Sequence, residues 1–363
     1  MKLSGVTCRG VRWWLGGPVL PDLWTVAQWE TLFLGRWNGS EHTEALSDSN
    51  SANSWYYYGL AYPLDGAVAM FEATGNTDYL DRALLYTENA IGDAVLSSTL
   101  VNSQFKDSYL AWGAWNHPTD PSINGGEYPL YESYMFRYVC RMLRALKANP
   151  AVYANPTYLG KYNTILAFIE QHIYNKWNAR GANSYIYRSH VHMASHWAYI
   201  TLILWKLTGN TAYKTVLDNI NLHLPNYSSS LRQQVITNPV NSAANFWASP
   251  WGSFAQPGSD VSHGNNFLAF VVEDKDYGNE WNATDIQKFL VLFNQVVWPA
   301  PTTYRYYVDG TGVDAGWWPD GFIKLARYDT SGDTQMRLQS HTVGLGMQYY
   351  GNCAYNAKRL LSS

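Results

Sequence analysis

Two stretches of the chain share one grammar: ATGNTDYLDRA, from Ala73 to Ala83, and LTGNTAYKTV, from Leu207 to Val216. In each, a helical pattern runs into Thr-Gly-Asn. The glycine is a natural left-handed cap, so the helix stops there. A threonine then opens the next helix, with a tyrosine two residues on. RYDTSGDTQMR, Arg327 to Arg337, is a looser third copy. A repeated helix–turn–helix unit of this kind predicts antiparallel helical hairpins that cover one another's apolar faces.

Helical periodicity extends this pattern along the chain, and strand-like alternation is scarce. One helix is expected from Pro21 to Leu34. Hairpins pair 55–75 with 79–97, 129–147 with 157–176 and 192–208 with 212–223. Later helices fall near 263–273, 284–297, 316–329 and 341–360. The first member of each hairpin is apolar around most of its circumference, as in Met193, Trp197, Ile200 and Leu204 with Ala194, Thr201 and Trp205, and so is expected to be surrounded by protein. The second members, such as DRALLYTENAIGDAVL, are amphipathic and read as an outer layer. Inner and outer helices alternating around a ring describe an all-α (α/α) toroid of about six or seven hairpins, with an open solenoid or a bundle as alternatives. No linker divides the chain, so residues 1–363 read as one domain. The Pro/Ser/Asn-rich stretch from Pro225 to Ser259 reads as a long surface excursion.

Composition narrows the function. Of the 363 residues, 47% are hydrophobic and 15% charged, while 17 Trp, 28 Tyr and 12 Phe make up 16% of the chain. Rings beyond the needs of a core suit a sugar-binding cleft, where they stack on pyranose faces; a large aromatic core is the plainer reading. The net charge of −3 argues against a nucleic-acid partner but allows an acidic glycan held by a few focused cations. Cys8, Cys140 and Cys353 form no CxxC pair and no disulfide framework. No apolar run approaches the length of a membrane span, so no membrane partner is expected. The first residues, MKLSGVTCRGVRWWLGG, lack the uninterrupted apolar core of a signal peptide. Abundant Asn, Tyr and Trp with few Lys point to a secreted or periplasmic protein, with the cytoplasm as the alternative.

Polar and aromatic clusters precede the expected inner helices: NSANSWYYYG, NGGEYPLYESY, NSYIYRSHVHMASH, GSDVSHGNN and YRYYVDGTGVDAGWW. In a ring of alternating helices they meet at one end, over helix N-termini that favour anions. His192 and His196 share a helix face. They read as a hydrogen-bonded buried pair, as two metal ligands lacking a third, or as acid–base groups. His263 and Asn266 also share a face, with Asp260 or Ser262 as the helix cap. In TTYRYYVDGTG, Tyr304 and Tyr306 point one way if the segment is extended, Arg305 and Tyr307 the other. Glu127, Glu132, Asp309, Asp314 and Asp320 are the carboxylates within reach of such a cleft. They supply a glycosidase pair such as Glu127 with Asp314, or serve as caps and loop residues.

The TGN-punctuated hairpins, SHVHMASHWAY, DVSHGNN and the late Tyr/Arg loop resemble an (α/α)-toroid polysaccharide lyase, in particular the glucuronan and alginate lyases of polysaccharide lyase family 38. The resemblance implies β-elimination on a 4-linked polyuronate. Such a reaction needs a grip on the C6 carboxylate, because H5 is acidic only when that charge is neutralised. It also needs a base for H5 and an acid for the departing O4. On this basis His263, Asn266 and Arg305 are expected to hold the carboxylate. Tyr304 or Tyr306 serves as base and acid, with His192 and His196 as second candidates. Trp55, Tyr56, Glu127, Tyr128, Arg188, Trp251, Asn265 and Trp317 are the expected substrate contacts. No cofactor is expected, and a bound metal ion is left open. A toroid glycoside hydrolase and a non-catalytic glycan-binding protein are the competing classes.

Overall fold

The computed structural model describes residues 22–226, 230–247, 258–313 and 317–362. The fold is all-α. Its helices are α1 (Val26–Trp37), α2 (Ser40–Ser49), α3 (Tyr57–Thr74), α4 (Thr77–Gly92), α5 (Pro129–Ala148), α6 (Pro156–Phe168), α7 (Val191–Thr208), α8 (Thr211–Leu222), α9 (Val261–Asp276), α10 (Ala283–Val291), α11 (Gly321–Lys324), α12 (Asp333–Gln339) and α13 (Met347–Leu361), besides shorter turns. Among the described residues, strand is confined to two small antiparallel pairs, β1 (Val95–Leu96) with β2 (Leu110–Ala111) and β3 (Val235–Thr237) with β4 (Asn245–Trp247).

The repeated turn is built the same way twice. Gly75 and Gly209 take φ of 79° and 75° and cap α3 and α7. The side chains of Asn76 and Asn210 then accept the amides of Asp78 and Ala212, each at 3.0 Å, and so cap α4 and α8. The third copy differs. Its helix ends as a 3-10 turn at Tyr328, Asp329 accepts the Ser331 and Thr334 amides, and left-handed Gly332 stands at the start of α12 instead of the end of a helix. The helix expected over 316–329 is correspondingly cut to α11 and that turn, and α2 and α12 are helices beyond those expected.

The long first members of the hairpins lie inside. Helix α3 packs on α5, α5 on α7, α7 on α9, α9 on α11, α11 on α13, and α13 returns to α3. Helices α4, α6, α8 and α10 cover α3, α5, α7 and α9, while α1 and α12 cover α13. The first turns of neighbouring inner helices meet at one end, where Trp55 touches Tyr131 and His192 touches His263. The last turns of α3, α5 and α13 meet at the other, around an opening of about 700 Å³ between Phe71, Gly75, Arg144, Asn149 and Tyr355.

The inner helices are less apolar than expected. A polar stripe runs along each and faces the interior. Arg137, Arg141 and Arg144 lie on one face of α5, at the spacing that brings side chains into register. Arg141 pairs with Asp65 and Glu72 of α3, Arg144 with Glu72 and with Glu273 of α9, and Arg137 with Asp320. Lys324 bridges Asp65 and Asp320 at 2.9 and 2.8 Å. Gln348, Asn352 and Asn356 of α13 fill the gaps as neutral partners.

Small residues let the helices approach closely. A Cβ on Gly66 would fall inside the backbone of Met347 and Gln348, and one on Gly351 inside the Gly66 carbonyl. Gly66→Ala is therefore expected to lower unfolding free energy by about 3 kcal/mol, because two backbones must separate. Gly92→Ala, which meets nothing within 4 Å, should leave stability unchanged or raise it by about 0.5 kcal/mol. Urea unfolding of the two variants beside the parent protein measures both.

Candidate active site

The end where the first turns meet holds a cleft of about 380 Å³ lined by Trp55, Tyr58, His117, Leu130, Tyr131, His192 and His263. One wall is aromatic and follows from helix spacing. Trp55, Tyr58 and Tyr62 follow at the start of α3; Tyr128, Tyr131 and Tyr134 follow at i, i+3 and i+6 into α5. Tyr58 contacts Tyr131 and Tyr134 at centroid distances of 5.4 and 4.4 Å. The Tyr62 and Tyr134 hydroxyls are 2.8 Å apart, and the exposed Trp317 ring stands 5.5 Å from that of Tyr62. Burial pushes the Tyr131 phenol up to about 12 and the Tyr134 phenol well above the usual range.

The other wall is imidazole. The rings of His192 and His263 lie 4.6 Å apart, and His190 and His196 stand 6.1 and 6.3 Å from His192. Burial, reinforced by His263, lowers His192 well below its ordinary value; burial and the Arg137 cation do the same to His196. Both rings are thus neutral. His263 is half-buried, and one carboxylate fixes it twice. Asp260 accepts the His263 amide at 3.0 Å, capping α9, and its other oxygen binds His263 Nδ1 at 2.6 Å. Burial works upward on the Asp260 carboxyl, but the bonds to His263 hold it below its usual range.

Beneath this cleft lies a buried polar floor. The guanidinium of Arg137 is clamped between the rings of Tyr134 and Tyr138 at 4.4 and 4.3 Å. His196 Nδ1 is 3.3 Å from Ser133 Oγ, and Asn266 lies close enough to His196 to favour its charged form. Yet among the described residues Arg137 Nη1, His196 Nε2 and Asn266 Oδ1 form no hydrogen bond of good geometry, though all three are buried. Buried polar groups in folded proteins are nearly always partnered. Asn266 and His196 interact with each other, and the spare hydrogen-bonding capacity of this buried group suits a polar ligand.

Several expected site residues come together here: His192, His196, His263, Asn266 and Trp55 at the cleft, and Trp317 beside Tyr62. Tyr128 and Arg188 line a side pocket of about 160 Å³ with Ser133 and Tyr185. Tyr306 is exposed at the rim. Its segment pairs with the start of α9, its carbonyl accepting Val261 N–H at 2.8 Å, and Asp260 adds to the burial that raises its phenol. Tyr56 sits beside Trp55 in a 3-10 turn.

Others lie elsewhere. The Tyr304 hydroxyl is 2.9 Å from His341 Nδ1, and its ring lies 5.5 and 5.8 Å from those of Trp298 and Trp318, which are 5.3 Å from each other. Glu127 is committed to Arg180, Ser97 and Ser103, and Glu132 to Lys176 and Trp177. Asn265 ties α9 to α11 by bonding the Trp317 carbonyl and the Phe322 amide, each at 2.9 Å. The Arg305 amide donates to the Val297 carbonyl, and the guanidinium acting on the floor is that of Arg137. Trp251 and Asp314 lie outside the described residues. Among the described residues no group of three or more His, Cys, Asp or Glu converges as metal ligands do, and no helix is long and apolar enough to cross a membrane.

Sequence reading named Tyr128 and the clusters around it but missed Arg137, His117, Tyr58, Tyr62, Tyr131 and Tyr134 as site residues. The tyrosines carried a helical spacing that could have shown them. No family model, curated protein or solved structure matches the chain.

The neutral histidines predict a pH effect. Their folded pKa values lie below the ordinary 6.5, so the unfolded chain takes up protons first as pH falls. Their contribution is fully present above pH 6.5 and is lost below it, at up to about 1.4 kcal/mol per pH unit for each ring. Urea unfolding from pH 8 to 5 is expected to fall off below 6.5. The loss should be shallower in a His192→Asn/His196→Asn double variant.

Proposed function

We propose that the chain is a polysaccharide lyase of (α/α)-toroid architecture, forming one catalytic domain that cleaves a 4-linked uronic-acid polysaccharide of the glucuronan or alginate type by β-elimination. The circuit of contacts from α3 through α5, α7, α9, α11 and α13 back to α3 supports the toroid.

One observation carries the catalytic reading: the buried floor of Arg137, His196 and Asn266 below an aromatic cleft. Such a floor suits a carboxylate. A buried guanidinium supplies fixed positive charge. A neutral imidazole and an amide supply donors without a second cation, the amide by turning its nitrogen inward. The group bound there is the C6 carboxylate of a uronate whose ring stacks on the tyrosines. Neutralising it makes H5 acidic and stabilises the charge that develops as the proton leaves.

Asp260 and His263 then supply the base. Nδ1–H of His263 donates to the carboxylate, so proton transfer falls to Nε2. The base takes H5, the C4–O4 bond breaks, the C4=C5 double bond forms, and a histidine or tyrosine of the cleft returns a proton to O4. The hydrolase alternative needs two carboxylates across the cleft. Among the described residues, Glu127 and Glu132 are spent on ion pairs and Asp320 on Arg137 and Lys324, which leaves Asp260 beside His263 and Asp120, bonded to Ser122, near His117.

Incubation with glucuronan, alginate and other polyuronates is expected to release unsaturated ends that absorb in the far ultraviolet. Reducing ends without that absorbance would mean hydrolysis and end the lyase reading. Asn266→Asp, which sets a negative charge where the carboxylate binds, should cut kcat/KM by about 100-fold or more. Arg137→Met should do the same, and Tyr304→Phe should remain active. Full activity in both floor variants would remove the floor from the mechanism.

A further inference from the structure

The side pocket beside the cleft is built from three separate stretches of chain. The start of α5 and the residue before it supply Ser133 and Tyr128. The first turns of α7 supply Met193 and Trp197, four residues apart and so on one face. The loop leading into α7 supplies Tyr185 and Arg188. The pocket holds about 160 Å³. Pockets for drug-sized ligands begin near ~300 Å³, so this one admits one ring and not two.

The pocket abuts the cleft. Leu130 lines both. The ring of Tyr128 lies 5.5 Å from that of Tyr131 in the aromatic wall. Ser133 lines the pocket and its hydroxyl stands 3.3 Å from Nδ1 of His196 in the floor. The Arg188 charge reaches the imidazole wall, where, after burial, it is the next cause that lowers His190. A glycan seated with one ring in the cleft therefore has its next ring at this pocket.

Two features fit that ring. Tyr128, Tyr185 and Trp197 offer aromatic surface for the apolar face of a pyranose. Arg188 offers an uncommitted cation. Its Nη1 donates to the Ser184 carbonyl at 3.0 Å, and among the described residues it forms no ion pair. Arg180 of the same stretch is instead tied to Asp107 and Glu127 at 2.9 and 2.8 Å. A guanidinium presents paired donors that match a carboxylate. The loop carrying Arg188 is held in place. The Asn226 side-chain amide donates to the Asn183 and Tyr187 carbonyls, and that of Gln234 to the Ser189 carbonyl. The Tyr185 ring packs against Phe105 and Trp177 at 5.6 and 5.1 Å. Groups fixed beforehand lose less freedom when a ligand arrives.

We propose that this pocket is a second sugar subsite, in which Arg188 binds the carboxylate of the uronate next to the one on the floor. This deepens the lyase reading and rests on it. In a 4-linked homopolyuronate every ring carries a carboxylate, so the glycan presents one to Arg137 and the next to Arg188. Where uronates alternate with neutral sugars, the pocket receives no charge. The subsite thus selects runs of contiguous uronates. Arg188 touches no reacting atom, so its hold is equal in ground state and transition state and is felt in KM.

Steady-state kinetics on whichever polyuronate is cleaved test it. Arg188→Gln should raise KM by about tenfold, with kcat within about twofold of the parent. Arg188→Lys, which keeps the charge without the paired donors, should fall between. The gap should narrow as salt rises, because Arg188 is only half-buried. Reducing part of the polymer's carboxylates to alcohols, with the linkages unchanged, should raise the parent's KM per remaining uronate and leave that of Arg188→Gln unmoved. A parent-like KM in Arg188→Gln, a loss in kcat instead of KM, or the same reduction penalty in both proteins overturns the subsite, while release of unsaturated product keeps the lyase reading. No unsaturated product from any polyuronate overturns both.

Discussion

The interior of this protein is organised around a buried column of charge. Arg137, Arg141, Arg144, Lys324 and Arg327 run through the space enclosed by the inner helices, against Asp65, Glu72, Glu273 and Asp320. Taking such groups out of water costs several kcal/mol each, and their mutual attraction offsets this only when geometry is good. The column is therefore a poor source of net stability. It acts as a constraint: any packing that strands one member leaves an uncompensated buried charge. Helices α3, α5, α9, α11 and α13 each supply members or amide partners, so their register is set against all the others at once. The close glycine contacts at Gly66, Gly321 and Gly351 follow from the same demand, because carboxylates and guanidinium groups meet only if the backbones carrying them come near.

The column also explains why the cleft sits where it does. At the end where the first turns gather, it stops at Arg137, whose Nη2 is bound to Asp320 and whose charge acts on His196. Helix N-termini add further positive potential there. The opposite end closes differently: Arg144 meets two carboxylates, and Lys358 donates to the Glu72 carbonyl at 2.6 Å. The wider opening lies at this end and the smaller cleft at the other.

Much of this was legible in the residues and some was not. The TGN turns, the hairpins and the gathering of histidines before α7 and α9 follow from caps and periodicity, which are local. The arginine ladder of α5 was misjudged because a polar stripe at helical spacing looks the same whether it faces water or a charged interior. Glu127 looked like a cleft acid for the same reason: its partners Ser97, Ser103 and Arg180 come from sequence positions no pattern connects. Asp260 was visible as a helix cap, but its second bond, to the imidazole of His263, is a fact of rotamers. Tyr304 and Tyr306 illustrate the limit most plainly. Alternation placed them on one side of an extended segment, yet one is committed to His341 and the other lies beside Asp260.

Charge balance links the column to the chemistry. Five cations face four carboxylates, and the one without an ion pair among the described residues, Arg327, bonds Asn356 and Asn352 with Asp276 and Glu72 near it. Protonating His196 would set a second positive charge beside Arg137, and burial and that guanidinium hold the ring neutral. A carboxylate seated on the floor does the opposite. It brings a negative charge beside Arg137 and offers oxygens to the guanidinium, the His196 ring and the Asn266 amide. A neutral sugar brings no such charge, and a phosphate at neutral pH brings nearly two. On the proposed reading, the Arg137 guanidinium beside such a carboxylate is what makes H5 of a uronate easier to remove.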